Sequence, residues 1–125
     1  MVKPVPIMPA TVKVGALTFE VTDDENDWVR IEHATQMKGN YGYTTRLECR
    51  IYLNPSQSAG NLRLTLWHEV MHALHEGVMG RPDWRHLGTT NEDREEAVIS
   101  AWEHPTLQVL RDNPELVAYL LADED

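Results

Sequence analysis

Between Tyr43 and Asn54 the odd and even positions carry different chemistry. Tyr43, Thr45, Leu47, Cys49, Ile51 and Leu53 fall on one side; Thr44, Arg46, Glu48, Arg50 and Tyr52 fall on the other. A period of two is the pattern of a strand with one face on a core and the other in water. Asn54-Pro55-Ser56-Gln57-Ser58 stops the strand and offers serine N-caps for a helix from about Gly60 to Glu76, closed by Gly77. Leu62, Leu64, Leu66, Trp67, Val70, Ala73 and Leu74 cover most of that helix's circumference, so it is expected to be a buried central element. A strand that must hide one face, followed by a helix that must hide nearly all of its surface, restricts the chain to a sheet packed on helices.

The remaining segments fill in this α+β plan. Residues 1–10 hold Pro4, Pro6 and Pro9 and read as an extended arm. Val12 to Val21 alternates with one phase shift at Gly15-Ala16, which predicts two short strands or one bulged strand. Thr22–Asp27 reads as a polar turn, and Trp28–Lys38 is open between helix and strand. Gly39-Asn40-Tyr41-Gly42 is a turn. The stretch from Val78 to about Asn91, with Trp84, Arg85 and His86 at its middle, is long for a connection and has the length of a functional loop. A second helix is expected from Asn91 or Glu92 towards His104-Pro105, where proline kinks or ends it. Asn113 as N-cap and Pro114 behind it start a last helix through Leu121, and the acidic tail, residues 122–125, should fray. A chain of 125 residues suffices for one domain, 1–125, with a small, mostly antiparallel sheet on the central helix and two C-terminal helices.

A formal net charge of −9 repels phosphate backbones and anionic lipid, so neither a nucleic-acid nor a membrane partner is expected. The single cysteine, Cys49, cannot form an intramolecular disulfide; it lies on the apolar face and reads as a packed core thiol. The proline-broken N-terminus lacks the apolar run of a signal peptide, and no stretch is long enough to span a bilayer. A reducing cytoplasm is the expected setting.

The chemistry is concentrated in His68-Glu69-Val70-Met71-His72, which fits H-E-x-x-H on a segment already expected to be helical. Residues four apart lie on one helix face, so two imidazoles can converge on one cation, and histidines inside an apolar element would be costly unless something binds them. Beside them Glu69 can act as general base on a zinc-activated water, which points to hydrolysis, with an amide as the expected substrate bond. Zinc needs a third protein ligand. The longer pattern with glycine at 75 and histidine at 78 is excluded, because His75 and Val78 stand there. His75 lies about 10 Å of helix rise beyond His68, too far to close a tetrahedron, and is expected to be a supporting or surface residue. Candidates remain among Glu92, Glu95 and Glu96. Glu95 shares a helical stripe with Val98, Ile99 and Trp102; Glu96 lies about 100° away at its edge. A cluster of acids opening a helix also serves its dipole.

The strand Arg50–Asn54, then Thr65-Leu-Trp-His-Glu-Val-Met-His-Ala73, and downstream Glu95-Glu-Ala-Val98 resemble the ImmA/IrrE-type zinc metallopeptidases, especially small phage or prophage members. The likeness runs over about residues 40 to 115. It implies a minimal zincin-like fold, Zn2+ held by His68, His72 and either Glu95 or Glu96, Glu69 as base, a peptide or protein substrate, and a bacterial or phage-infected host cytosol. Two positions depart from the pattern: Met71 stands where many members have glycine, and Val98 where asparagine often follows the Glu-Ala pair. That pair favours Glu96 as ligand, whereas the stripe favours Glu95. The chain is too short for a helix-turn-helix or sensor domain beside the catalytic one, so the family's repressor substrates do not transfer.

Two rival readings belong to other classes: a phage-type protein-binding module with a structural or vestigial zinc site, and a metal-free interaction protein. For the substrate oxygen, His86, Arg81, Arg85, Tyr41 and Tyr43 are candidate stabilisers. If the Tyr43–Asn54 strand is a sheet edge, it could hold a peptide by strand addition.

Overall fold

The computed structural model describes residues 7–86 and 88–122. In chain order the elements are β1 (Thr11–Val14), β2 (Leu17–Thr22), α1 (Glu25–Thr35), β3 (Gly42–Thr45), β4 (Arg50–Leu53), α2 (Ala59–Gly77), a single 3₁₀ turn (Trp84–His86), α3 (Asn91–Asp112) and α4 (Pro114–Leu120). The strands form a four-stranded sheet in the order β1-β2-β4-β3. β1 pairs antiparallel with β2, and β3 with β4, while β2 and β4 run parallel, so the sheet is mixed.

Local chemistry accounts for most of this. Val12 and Val14 are buried and alternate with exposed Thr11 and Lys13. The phase shift at Gly15-Ala16 resolves as a two-residue hairpin loop, with Gly15 at φ +60°, so the segment is two strands. Asp24 caps α1 by accepting the Asp27 N–H, so half of the stretch expected as a polar turn opens a helix, and Trp28–Lys38, open in the sequence, is helical to Thr35. Because β2 and β4 are parallel, the chain must cross over between them, and it does so through α1 and β3.

The alternating stretch from Tyr43 to Asn54 is not one strand. It is a hairpin, β3 and β4, turning through Arg46–Cys49 with Thr45 opposite Arg50. No glycine or proline marks this turn; Cys49 itself takes the left-handed conformation at φ +52° and lies partly exposed, packed against the core from the turn. The register sets Tyr43 opposite Tyr52 and Thr44 opposite Ile51, so odd residues of β3 share a face with even residues of β4. Central β4 is covered on both sides. Ile51 and Leu53 join Leu66, Val70 and Leu74 of α2 in the larger core, and Tyr52 joins Trp28 and Ile31 of α1 in the smaller one. Thr44 thereby faces α2, not water.

Two C-terminal helices are present, but Pro105 neither ends nor divides α3, which is continuous from Asn91 to Asp112. Trp102 before the proline and buried Val109 after it both pack on the main core, and this burial outweighs the roughly 3 kcal/mol cost of an internal proline. Asn113 stands at the N-cap position of α4 without capping it. Its side chain instead accepts the Lys13 N–H and donates to the Lys13 and Val109 carbonyls, each at 2.8 Å, which ties the α3–α4 corner to β1. Of the expected N-terminal arm, Met8 packs on the core and Pro9 is buried; residues 1–6 and 123–125, the rest of the arm and of the acidic tail, lie outside the described residues. No helix among the described residues is long and apolar enough to cross a membrane.

Candidate metal centre

α2 starts where Ser58 accepts the Asn61 N–H and runs to Gly77. One side of it is core: Leu66, Val70, Ala73 and Leu74 are at most 1% exposed. The expectation of burial all round fails on the other side, where Leu64 is 68% and Met71 39% exposed, and His68 and His72 are both exposed. The two imidazoles therefore open onto a cleft of about 590 Å³, walled opposite by Gly39–Thr44 and along the helix by Leu64, Thr65, Glu69 and Glu76. The cost of burying histidines is absent here, and it is the mutual geometry of the two rings that points to a ligand.

His68 Nε2 and His72 Nε2 are 3.2 Å apart. Two nitrogens bound tetrahedrally at about 2.05 Å from one ion stand about 3.3 Å apart, so the pair is set at the spacing that chelation requires. Glu69 is 5% exposed, and its Oε2 lies 3.9 Å from His68 Nε2. Among the described residues these are the side chains grouped closely enough to hold one ion, their donor atoms all within 4.8 Å of one another. Two nitrogens and a carboxylate oxygen suit zinc.

The neighbours that orient Glu69 come from β3. The Thr44 hydroxyl donates to Glu69 Oε1 at 2.8 Å and also lies 3.1 Å from the Glu69 carbonyl, which leaves Oε2 as the oxygen beside His68. Gly42 makes the close approach of strand to helix possible: a Cβ there would meet Glu69 Cγ and Thr65 Cγ2 at 2.9 Å and Glu69 Oε2 at 3.0 Å. Gln57 then joins the cleft's two walls, accepting from the Thr65 hydroxyl at 2.7 Å and donating to the Tyr41 and Asn54 carbonyls at 2.9 Å. Sequence reasoning missed Thr44 and Gly42 because both were placed by a register that only the β3–β4 turn sets.

Glu95 and Glu96 sit exposed on the first turns of α3, and neither joins the His68–Glu69–His72 group. Glu92 is exposed as well; the cap of α3 is Thr90, which accepts the Asp93 N–H. A carboxylate the sequence reading passed over, Glu76, lies one turn beyond His72 on the same cleft, with Oε1 3.0 Å from Arg81 Nη2. Its i+4 spacing from His72 was the signal available. His75 is neither a ligand nor a surface residue: its ring stacks on Trp102 at 6.2 Å and lies against Trp84 at 5.8 Å.

Of the candidate oxyanion partners, Tyr41 and Tyr43 line the cleft. Arg85 and His86 are instead gathered on Asp83, at 3.1 and 3.3 Å, and the Arg85 hydrogen bonds hold the Asp83 carboxyl below its usual range. β3 is the sheet's edge strand and the cleft's wall, as strand addition would need. No protein-family model, curated protein or solved structure matches this chain.

Proposed function

We propose that the chain is a zinc-dependent metallopeptidase of the H-E-x-x-H kind, similar to the ImmA/IrrE-type enzymes. The observation that carries the reading is the 3.2 Å approach of two exposed imidazole nitrogens on the wall of a cleft, beside a buried carboxylate. His68 and His72 would hold the ion. When bound, zinc supplies a Lewis acid that polarises a carbonyl and brings the pKa of a coordinated water near 7. Glu69 would accept a proton at Oε2 while Thr44 keeps Oε1 occupied, and the same carboxyl would return it to the departing amine. A peptide laid against β3 as an added strand would present its carbonyls to this cleft, with Tyr41 or Tyr43 within the same walls to donate to the substrate oxygen.

The third ligand is proposed from α3, Glu95 or Glu96, on the strength of the resemblance. Neither carboxylate stands with the histidines in this arrangement, so ligation by either requires its side chain or the start of α3 to move. Glu76 is the rival already in the cleft. A purely structural zinc site is closed by a fourth protein ligand; the open cleft over His68 and His72 supports the catalytic reading over the binding-module one.

Metal analysis of the untagged protein tests the foundation, with about one zinc per chain expected. Glu69→Gln should keep the metal and abolish hydrolysis of a casein substrate, whereas His72→Ala should lose both. Separate alanine replacements of Glu76, Glu95 and Glu96 should release zinc in one of the α3 variants alone. Absence of zinc from protein purified in zinc-supplemented medium would end the proposal.

A further inference from the structure

A second cleft, of about 400 Å³, lies on a different side of α2, between its N-terminal half and the end of α3 with α4. Its walls are apolar: Leu64, Trp67, Leu110 and Leu120. Its charged lining residue is Arg63, and that side chain is out of place by ordinary rules. Arg63 is only 8% exposed, and its Nε and Nη1 are buried without a hydrogen-bond partner among the described residues. Its guanidinium lies over the Tyr119 ring at 5.7 Å, which supports the cation from one face and leaves Nε and Nη1 without an acceptor among the described residues. A buried donor without an acceptor costs about 1–3 kcal/mol, more when charged. A chain with a net charge of −9 does not lack carboxylates, yet none of the described ones pairs with this arginine.

We infer that this cleft binds a small amphipathic carboxylate, a single carboxylate group on an apolar tail, with Arg63 as its anion partner and Leu64, Trp67, Leu110 and Leu120 around the tail. Three observations converge. Arg63 lines the cleft with no acceptor among the described residues, and a guanidinium matches a carboxylate in charge and fork geometry. Gly60, in the first turn of α2, lines the same cleft, and no acidic side chain occupies that turn, so the positive end of a 19-residue helix adds to the field. Leu64 and Trp67 stand on interior turns of α2, whose backbone groups bond internally, so a peptide's N–H groups would find no acceptor from them, and a hydrocarbon tail brings no such groups. This contrasts with the first cleft, where β3 offers an open strand edge. Leu64 lines both clefts, so the two sites are neighbours across one exposed leucine.

The test uses full-length 15N-labelled protein, with octanoate as probe, octanol as the same tail without charge, and acetate as the charge without a tail. The Arg63 Nε–H resonance and the amides of Gly60, Leu64 and Leu120 are followed in titration. Saturable shifts with octanoate, at least tenfold tighter than with either control, are expected. They should be lost in Arg63→Met, whose fold is verified by an unchanged cooperative urea transition; should that variant fail to fold, Leu110→Gln serves, weakening octanoate binding through the tail. Equal responses to octanoate and octanol would overturn the proposal. So would a shift of the Arg63 Nε–H in the ligand-free Asp123→Asn, Glu124→Gln, Asp125→Asn triple variant, because the chain's own carboxylates would then be its partner.

Discussion

Replacing Gly42 by alanine tests whether the edge strand and the motif helix are fitted to each other at the candidate base. The added Cβ would stand 2.9 Å from Glu69 Cγ and from Thr65 Cγ2, and 3.0 Å from Glu69 Oε2. Carbon atoms prefer at least about 3.5 Å, so 3.5 − 2.9 leaves about 0.6 Å to be found. α2 cannot yield easily, because Leu66 and Val70 on either side of this contact are fully buried. Among the described strands β3 pairs with β4 alone, so it should be the element that shifts, loosening the Gly42–Leu53 pairing and the Thr44 hydrogen bond to Glu69. Overpacking of this size costs about 2 kcal/mol, or a fall in Tm of about 8 °C for a domain of this length. Urea and thermal unfolding measure it. In a Thr65→Ser background, which removes Cγ2 but keeps the hydroxyl bonded to Gln57, the penalty should shrink by about 0.5 kcal/mol or more. Hydrolysis should fall further than zinc affinity, since Glu69 loses the Thr44 hydrogen bond that orients it and the imidazoles lose nothing. A Gly42→Ala protein with wild-type stability, or a penalty identical in both backgrounds, would refute the close-approach argument.

Other consequences are open to simple measurement. Thr44→Val, nearly isosteric, should reduce hydrolysis severalfold while leaving zinc content unchanged, and zinc loss in that variant would mean that Thr44 supports the ligands and not the base. Zinc at a hundred times its Kd should stabilise the fold by about 2.7 kcal/mol, reversed by a chelator, in the wild type but not in His68→Ala. Asn113→Ala removes three hydrogen bonds, two that join the α3–α4 corner to Lys13 of β1 and one to the Val109 carbonyl of α3, and should cost about 3 kcal/mol in urea unfolding, with asparagine's own contacts too specific for aspartate to replace fully. Burial raises the Tyr119 phenol above its usual range, with Arg63 opposing and Asp23 adding to the shift. The unfolded chain then gives up this proton first, so stability is complete below about pH 10 and declines as pH rises beyond it. Tyr119→Phe should flatten that decline in unfolding series run from pH 8 to 11.

The grouping of His68, Glu69 and His72 could be read from the sequence, because its geometry is local. His68, Glu69 and His72 lie within a little more than one turn of one helix, and helical periodicity alone places them in one sector of α2. Ser58, Pro114 and Gly15 likewise act through neighbours in the chain, and each ends or begins an element where its chemistry says it should. What the sequence did not disclose depends on residues far apart. A turn at Arg46–Cys49, without glycine or proline, inverts the parity of β3 against β4; Thr44 moves from the expected water face to within 2.8 Å of Glu69. The passage of α3 through Pro105 was decided by Trp102 and Val109 finding the core on both sides of it, and the exposure of His68 and His72 by which flank of α2 the sheet covers. Local spacing therefore determined which atoms can meet one ion, whereas long-range packing alone decided what surrounds that ion, because a hydrogen bond between β3 and α2 exists only once strand register and helix docking are both set.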